Sequence, residues 1–270
     1  MTVHSVFASS FTLIAADAPS PGRLVRAERL LSVSFGPRRA GCPFGIEIGH
    51  PVRARLDQHW RCDGTTLTAG STTIRLSGLR PDACRIEPQR ATPEALHALP
   101  DTAAAFARSG LAGLARPSEV LMRLERVALG LRAGNDIAGD ALWLMGRGPG
   151  LTPSGDDMLV GMLAAHHACG GGPLPLWLTA ATAHATLDAA PDTNATAGNW
   201  TACTTDVAAA YLIQATRGRF SRPLIALAQT LAGSAAETRA ASARLLDFGH
   251  SSGADTLLGF TAYTHCLSGL

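Results

Sequence analysis

The apolar residues of this chain change their spacing near residue 90, and no other feature constrains the fold as strongly. Before that point, short segments alternate between apolar and polar residues or are rich in β-branched residues, which is typical of strands. These segments are residues 30–35, 44–48, 52–56 and 72–76, and the opening stretch 6–18 is a further candidate strand. Turn signals such as Asp63-Gly64 separate them, so we predict a β-meander that closes into a small barrel or a sandwich.

Beyond residue 90 the apolar residues recur at helical spacing. The segment 117–134 places Val120, Leu124, Val127 and Leu131 on one face and ends in glycine. Further helices are predicted at residues 136–145, 154–168, 174–189, 204–216, 222–232, 236–246 and 252–267. The sequence therefore predicts an α+β fold, with a β-rich domain over residues 1–90 and an α-helical domain over residues 91–270.

The composition limits the kinds of partner that this chain is expected to bind. The chain has 270 residues, of which 46% are hydrophobic and 16% charged, and a formal net charge of +2. A charge so close to zero argues against nucleic acid or a membrane surface as partner, and no apolar run reaches the length of a membrane span. The six cysteines form no C-x-x-C pair, which is typical of reduced thiols in the cytoplasm.

One octapeptide occurs twice in the helical part, as SGDDMLVG at 154–161 and SGADTLLG at 252–259. Each copy fits a capping box, with serine before the helix and aspartate at its third position. Gly161 and Gly259 lie seven residues after these serines, on the same helical face, where they would let two helices approach closely. We predict two helix starts of the same design, related by a pseudo-twofold axis.

The first copy follows a glycine-rich loop, in which Gly146, Gly148 and Gly150 surround Arg147 and Pro149. Such a loop before a helix start favours anions, because backbone N–H groups and the helix dipole both attract negative charge. An arginine there adds donors suited to phosphate or carboxylate. Two such helix starts facing one cleft could hold two anionic groups.

These motifs supply the candidate site residues. The candidate catalytic residues are Asp156, Asp157, His250 and Asp255. The candidate substrate-binding or phosphate-binding residues are Arg147, Gly148, Gly150, Thr152, Ser154, Gly155, Ser251, Ser252 and Gly253. Three functions stay open at this point: an enzyme or enzyme subunit acting on a small anion, an assembly subunit in which the motifs only pack helices, and a transferase that holds Mg²⁺ between Asp156, Asp157 and Asp255.

The two motifs also resemble a known family. GxGxGLTPSGDDxLxG at 146–161 and GHSSGxDxLxG at 249–259 are similar to the family that contains the small subunit of oxamate carbamoyltransferase. The similarity extends to the opening segment 5–13 and to the threonine-rich helix start at 201–205. The two motifs are long enough to specify the family but not the substrate.

The resemblance implies a subunit that works with two larger partner subunits, one of them related to acyl-CoA synthetases, in anaerobic allantoin and purine breakdown. The implied reaction converts oxalurate and phosphate into oxamate and carbamoyl phosphate. In that case phosphate would bind at the loop 148–155, and the substrate carboxylate at Arg147 or at 251–253. Asp156 or Asp157 would position the transferred carbamoyl group or a metal ion.

Overall fold

The computed structural model of the chain describes residues 1–16, 26–36, 41–183 and 200–268. Within these residues the strands come first and form two sheets. The strands are β1 (Thr2–Phe7), β2 (Ser10–Ile14), β3 (Leu30–Phe35), β4 (Gly45–Ile48), β5 (Arg61–Cys62), β6 (Thr66–Ala69) and β7 (Thr72–Arg75). One sheet has the order β1-β2-β3-β4 and the other the order β5-β6-β7. The predicted α+β class is confirmed, with strands before helices.

The arrangement of the strands differs from the predicted meander in two respects. β3 and β4 pair in parallel, with Ser32 opposite Gly45, whereas a meander contains only antiparallel neighbours. The described strands form two open sheets, so the barrel alternative is wrong. The two sheets share an apolar core in which Phe11 stacks on Trp60, with ring centroids 5.3 Å apart.

Two of the predicted strands also need correction. The predicted single strand over 6–18 is the end of β1, a tight turn and β2, and its last two residues lie outside the described residues. The segment 52–56 is not a strand. It leads into a turn at which Asp57 has a positive φ of 62°, and Leu56 is 63% exposed. An alternating pattern therefore does not by itself predict a strand where the chain turns before it reaches a partner strand.

The helices follow residue 92. They are α1 (Pro93–His97), α2 (Thr102–Phe106), α3 (Pro117–Ala133), α4 (Ala138–Leu144), α5 (Ser154–Ala168), α6 (Leu176–Ala183), α7 (Asp206–Thr216), α8 (Arg222–Gln229), α9 (Ala235–Leu246) and α10 (Ser252–Ser268). All the predicted helices are present, although the part of the predicted helix 174–189 beyond residue 183 lies outside the described residues. None of the described helices is long and apolar enough to cross a membrane.

α5 and α10 form the centre of the helical part. A Cβ atom built on Gly161 of α5 would lie 1.9 Å from the carbonyl oxygen of Thr256, and one built on Gly259 of α10 would lie 1.8 Å from that of Met158. Met158 and Thr256 occupy the same position in their octapeptides, so the crossing is symmetric. The predicted close approach and pseudo-twofold relation of the two copies are therefore present in the structure.

Candidate functional site

A cavity of about 290 Å³ lies between the four-stranded sheet and helices α5, α7 and α10. Its polar lining includes residues of the sheet and of the two octapeptide helices. Its apolar lining includes Phe44, Val160, Phe220 and Phe248. Concave spaces with an apolar lining and a few polar groups that converge on them are typical ligand sites, so this cavity is the candidate functional site.

The sheet side of the cavity consists of hydroxyl groups. Side chains alternate along a strand, so Phe11, Leu13 and Val33 face the core shared by the two sheets while their neighbours face the cavity. These neighbours are Ser10, Thr12, Ser32 and Ser34, which we call the hydroxyl face. The antiparallel register of β2 and β3 pairs them, Ser10 with Ser34 and Thr12 with Ser32. The result is a compact patch of neutral donors and acceptors opposite the helices.

The helix side contains the first turns of both octapeptide helices. Asp157 of α5 and Ser252 of α10 line the cavity together with Thr152, which precedes α5. The hydroxyl groups of Thr152 and Ser252 are hydrogen-bonded to each other at 3.0 Å. Three of the thirteen predicted site residues are thus brought together here.

Asp157 is the carboxylic acid of this cavity. Its side chain is buried, and its Oδ2 atom has no hydrogen-bond partner within the described residues. Burial raises the pKa of Asp157 well above its usual range, and the negative charges of Asp255 and Asp156 add to this effect. The neighbouring hydroxyls of Ser252 and Thr152 act in the opposite direction on this pKa but do not cancel the increase. Asp157 therefore combines a free oxygen atom with a proton affinity suited to acid–base chemistry.

Arg219 is the only cation among the described residues that line the cavity. It belongs to the short loop between α7 and α8, and its main chain is fixed by an N–H···O bond of 2.9 Å to Gln214. Its side chain is exposed and forms no ion pair with any described residue. An arginine without an ion pair to any described residue therefore lines the same space as the buried acid.

Cys42 and Tyr211 add two neutral polar groups to the lining. Burial raises the pKa of the Cys42 thiol to about 11, and it raises the pKa of Tyr211 well above its usual range. The ring of Tyr211 packs edge-on against Phe44, with centroids 4.9 Å apart. Asp157 and Arg219 are the acidic and the basic side chain among the described residues of the lining.

Several backbone groups of the glycine-rich loop, the predicted anion site, are hydrogen-bonded within the protein. The N–H of Arg147 donates to Leu144 O, that of Gly155 to Arg147 O, and those of Asp156 and Asp157 to Pro153 O. A Cβ on Gly148 would lie 2.7 Å from the nitrogen of Ser154, so this glycine packs the loop against the helix start. Gly150 has a φ of 94° and an open surrounding. The N–H groups of Gly146, Arg147 and Gly155 are thus paired within the protein.

The side chain of Arg147 lies on the surface and outside the cavity lining. Its guanidinium group stacks on the indole of Trp143, 3.8 Å from the ring centroid, and its Nε donates to the carbonyl of the same residue. These contacts hold the side chain along α4. The structure therefore does not bring Arg147 together with Asp157.

Asp156 faces away from the cavity, toward the glycine-rich loop. Its Oδ2 accepts hydrogen bonds from the N–H of Gly146 at 3.0 Å and from the hydroxyl of Thr204 at 2.6 Å, while its Oδ1 has no partner among the described residues. Burial raises the pKa of Asp156 to about 6. The carboxyl group thus ties the loop to the start of α7.

Asp255 is the counterpart of Asp157 in the second octapeptide, but its surroundings are filled by protein. Its carboxylate accepts hydrogen bonds from the hydroxyl of Ser109 and from the N–H of Gly110. A Cβ on Gly110 would lie 2.4 Å from Ser154 Oγ and 2.8 Å from Ser251 Oγ, so both serines pack against this loop. Burial raises the pKa of Asp255, although these hydroxyls and the N–H group oppose the increase.

The remaining candidates of the second motif also lie outside the cavity lining. His250 is exposed. Gly253 packs on the end of α9, because a Cβ there would lie 1.9 Å from Leu245 O. Gly155 makes the same contact with Leu144 O at the end of α4, also at 1.9 Å. These glycines join each octapeptide helix to the helix before it.

The predicted capping boxes are wrong. α5 begins at Ser154 itself, its N-cap is Pro153, and no side chain caps it. α10 begins at Ser252, and Asp255 accepts hydrogen bonds from the Ser109–Gly110 loop. The serines are inside the helices, so the aspartates lie one position further along than a capping box requires.

The three aspartates point to three different surroundings and do not converge on one point. Within the described parts of the chain, no group of three or more histidine, cysteine, aspartate or glutamate residues is arranged to hold a metal ion. The predicted set of Asp156, Asp157 and Asp255 around Mg²⁺ is therefore not assembled in this part of the structure.

The hydroxyl face, Arg219, Cys42 and Tyr211 were missed by sequence reasoning. The alternation Ser10-Phe11-Thr12 and Ser32-Val33-Ser34 does carry a signal, since it separates an apolar face from a hydroxyl face. It does not say what covers the polar face. Arg219 lies in a loop without a motif and gives no signal.

Comparison with known proteins agrees with the resemblance of the motifs. Residues 144–264 match the family model described as oxamate carbamoyltransferase subunit AllH. This segment contains both octapeptides, Asp157 and Arg219, whereas the hydroxyl face precedes it. No solved structure matches the chain.

Proposed function

We propose that this chain, whose residues 144–264 match the family model of oxamate carbamoyltransferase subunit AllH, provides the site at which the carbamoyl group is transferred. The reaction converts oxalurate and phosphate into oxamate and carbamoyl phosphate. One observation carries the proposal: Asp157 is buried, faces a cavity, and has an oxygen atom without a partner among the described residues. A ligand that enters the cavity could complete the hydrogen bonding of this atom.

The surroundings of Asp255 in the second octapeptide indicate the kind of group that Asp157 would bind. At the equivalent position, the carboxylate of Asp255 accepts hydrogen bonds from the hydroxyl of Ser109 and the N–H of Gly110. Asp157 lines the cavity, whereas the Ser109–Gly110 loop contacts Asp255. By the pseudo-twofold relation, the cavity is therefore the counterpart of this loop. A ligand that donates an N–H group to Asp157 would therefore take the place of the loop, and the carbamoyl group of oxalurate is such a donor.

The raised pKa of Asp157 gives this residue a role in proton transfer. A phosphate oxygen forms a bond to the carbamoyl carbon of oxalurate, and the bond from that carbon to the amide nitrogen breaks. Asp157 donates a proton to the departing nitrogen of oxamate and regains one from the phosphate hydroxyl, so protons and atoms balance. Carboxylic acids whose pKa has been raised by burial are suited to such a role.

The partner subunits are part of the proposal. The matched family is described as an enzyme subunit, and we propose larger partners that include a chain related to acyl-CoA synthetases. These partners would close the open side of the cavity and exclude water from the transfer. The activity therefore belongs to the assembled complex.

The experiment replaces Asp157 in the complex co-purified with its partner subunits. Asp157→Asn keeps the size of the side chain but removes the titrating proton. We expect kcat for oxalurate phosphorolysis to fall by about 10²- to 10⁴-fold. The matched control is Asp156→Asn, which changes the adjacent buried acid that faces the loop; its kcat should stay within a few-fold of the wild type. Full activity of Asp157→Asn, or an equal loss in both variants, would contradict the proposal.

One observation favours a second candidate, a non-catalytic assembly subunit. Gly155, Gly161, Gly253 and Gly259 all serve close helix packing, so much of the repeated motif has a structural explanation. An assembly subunit predicts that Asp157→Asn leaves kcat unchanged, while Gly161→Ala, which disturbs the α5–α10 crossing, lowers the yield of assembled complex. Co-purification and kinetics of the two variants distinguish the candidates.

A further inference from the structure

The cavity lining contains both a buried acid and an exposed base. Asp157 is 8% exposed and Thr256 7%, so this part of the lining lies deep between α5 and α10. The lining also contains Phe7, which is 48% exposed, and Arg219, whose side chain is exposed. A ligand that fills the cavity would meet an acidic group and a basic group.

The hydroxyl face lies along the same cavity. Ser10, Thr12, Ser32 and Ser34 offer neutral hydroxyl groups in a fixed register. Hydroxyl groups can donate to an anion without repelling an amide, while a guanidinium group binds carboxylate and phosphate through paired N–H donors. Because Arg219 has no acidic partner among the described residues, this donor set is available to a ligand.

We propose that Arg219, assisted by the hydroxyl face, binds the carboxylate of the substrate and selects small acids that carry an amide at one end and a carboxylate at the other. This inference rests on the proposed function, because it takes the amide end to lie at Asp157. It makes Arg219 a specificity-determining residue. It also assigns to the N-terminal sheet, which precedes the matched family segment, a direct role in binding.

The geometry favours Arg219 over Arg147 for this role. Arg147 stacks on Trp143 and lies outside the cavity lining. Arg219 borders the same space as Asp157. The two arginines are both exposed, so they form a matched pair for substitution.

The experiment compares two ligands that differ in one charge. Oxamate carries a carboxylate and an amide, and oxamide carries an amide in place of the carboxylate. Dissociation constants for both are measured by calorimetry on the assembled complex, for the wild type and for Arg219→Gln, Arg147→Gln and Asp157→Asn. We expect Arg219→Gln to weaken oxamate binding about ten- to hundredfold and to change oxamide binding less than threefold. Arg147→Gln should leave both values unchanged.

The outcomes separate this inference from the proposed function. Equal effects of Arg219→Gln on the two ligands, or the loss of oxamate binding in Arg147→Gln instead, would overturn the role of Arg219. Normal amide binding and normal kcat in Asp157→Asn, with a selective loss in Arg219→Gln, would overturn the proposed function and support the carboxylate site. A wild-type complex that binds neither ligand would overturn both.

Discussion

Gly161 and Gly259 occupy the same position in the two octapeptides, and each faces a backbone carbonyl of the opposite helix. The crossing of α5 and α10 therefore depends on the absence of two Cβ atoms. We expect Gly161→Ala to lower the free energy of unfolding by about 1–3 kcal/mol or more, because the backbone carbonyl of Thr256 cannot rotate away. Chemical denaturation of the purified chain measures this loss.

The matched control for this variant is Gly139→Ala in α4. Gly139 is also helical, but a Cβ there would meet nothing within 4 Å. Alanine has the higher helix propensity, so this variant should be stabilised by about 0.5–1 kcal/mol. Similar destabilisation in both variants would show that the close crossing is not the cause.

The raised pKa of Asp156 predicts that the stability of the chain depends on pH. Its pKa is raised by burial from 3.8 to about 6, so between these values the folded chain holds a proton that the unfolded chain releases. The free energy of unfolding therefore falls as the pH rises through this window. Relative to Asp156→Asn, which keeps an oxygen acceptor for Gly146 and Thr204 but does not titrate, the wild type should lose about 2–3 kcal/mol between pH 4 and pH 7.

Denaturant unfolding of both chains at a series of pH values tests this relation. The quantity of interest is the difference between wild type and variant at each pH, because the titration of all other groups is common to the two chains. A difference that stays constant from pH 4 to pH 7 would contradict the raised pKa of Asp156.

The thiols differ in predicted reactivity. Cys62 and Cys203 are exposed, whereas burial raises the pKa of Cys42 to about 11. The thiolate is the reactive form, so iodoacetamide at pH 8 should modify Cys62 and Cys203 first and leave Cys42 unmodified in the folded chain. Mass spectrometry of peptides identifies the modified thiols, and the unfolded chain, in which all six should react, is the control. Modification of Cys42 as fast as Cys62 would be inconsistent with its burial.

The features that the sequence predicted correctly depend on residues that are close together in the chain. α5 was predicted at 154–168 and is found at Ser154–Ala168, because its apolar pattern and flanking Pro153 and Cys169-Gly170 act within one helix. The close helix crossing was also predictable, because a glycine occurs at the same position of two similar helical segments. A residue without a Cβ atom lets two helices approach closely.

The features that the sequence did not predict depend on contacts between residues that are far apart in the chain. The parallel pairing of β3 with β4 and the lining of one cavity by both Arg219 and Asp157 arise only when the sheet packs on the helices. The role of each aspartate was not predictable for the same reason. Asp157 and Asp255 stand in equivalent sequence contexts, but the Ser109–Gly110 loop covers only the second.

This difference between the two copies predicts opposite effects on stability. Asp255→Ala would leave the hydroxyl of Ser109 and the N–H of Gly110 without an acceptor inside the protein, which costs about 1–3 kcal/mol for each buried group. Asp157→Ala would remove a buried carboxyl whose Oδ2 has no partner, so the free energy of unfolding should stay the same or rise slightly.

Denaturant unfolding of the two variants at neutral pH measures the contrast. An unpaired buried acid that lowers stability is expected where the residue is kept for binding or catalysis, because ligand contacts then compensate for the burial. If Asp157→Ala lost as much stability as Asp255→Ala, Asp157 would be part of the scaffold, and the cavity beside it would no longer indicate a ligand. A neutral Asp157→Ala together with a destabilised Asp255→Ala would mean that one copy of the octapeptide supports the fold while the other is left open to a ligand.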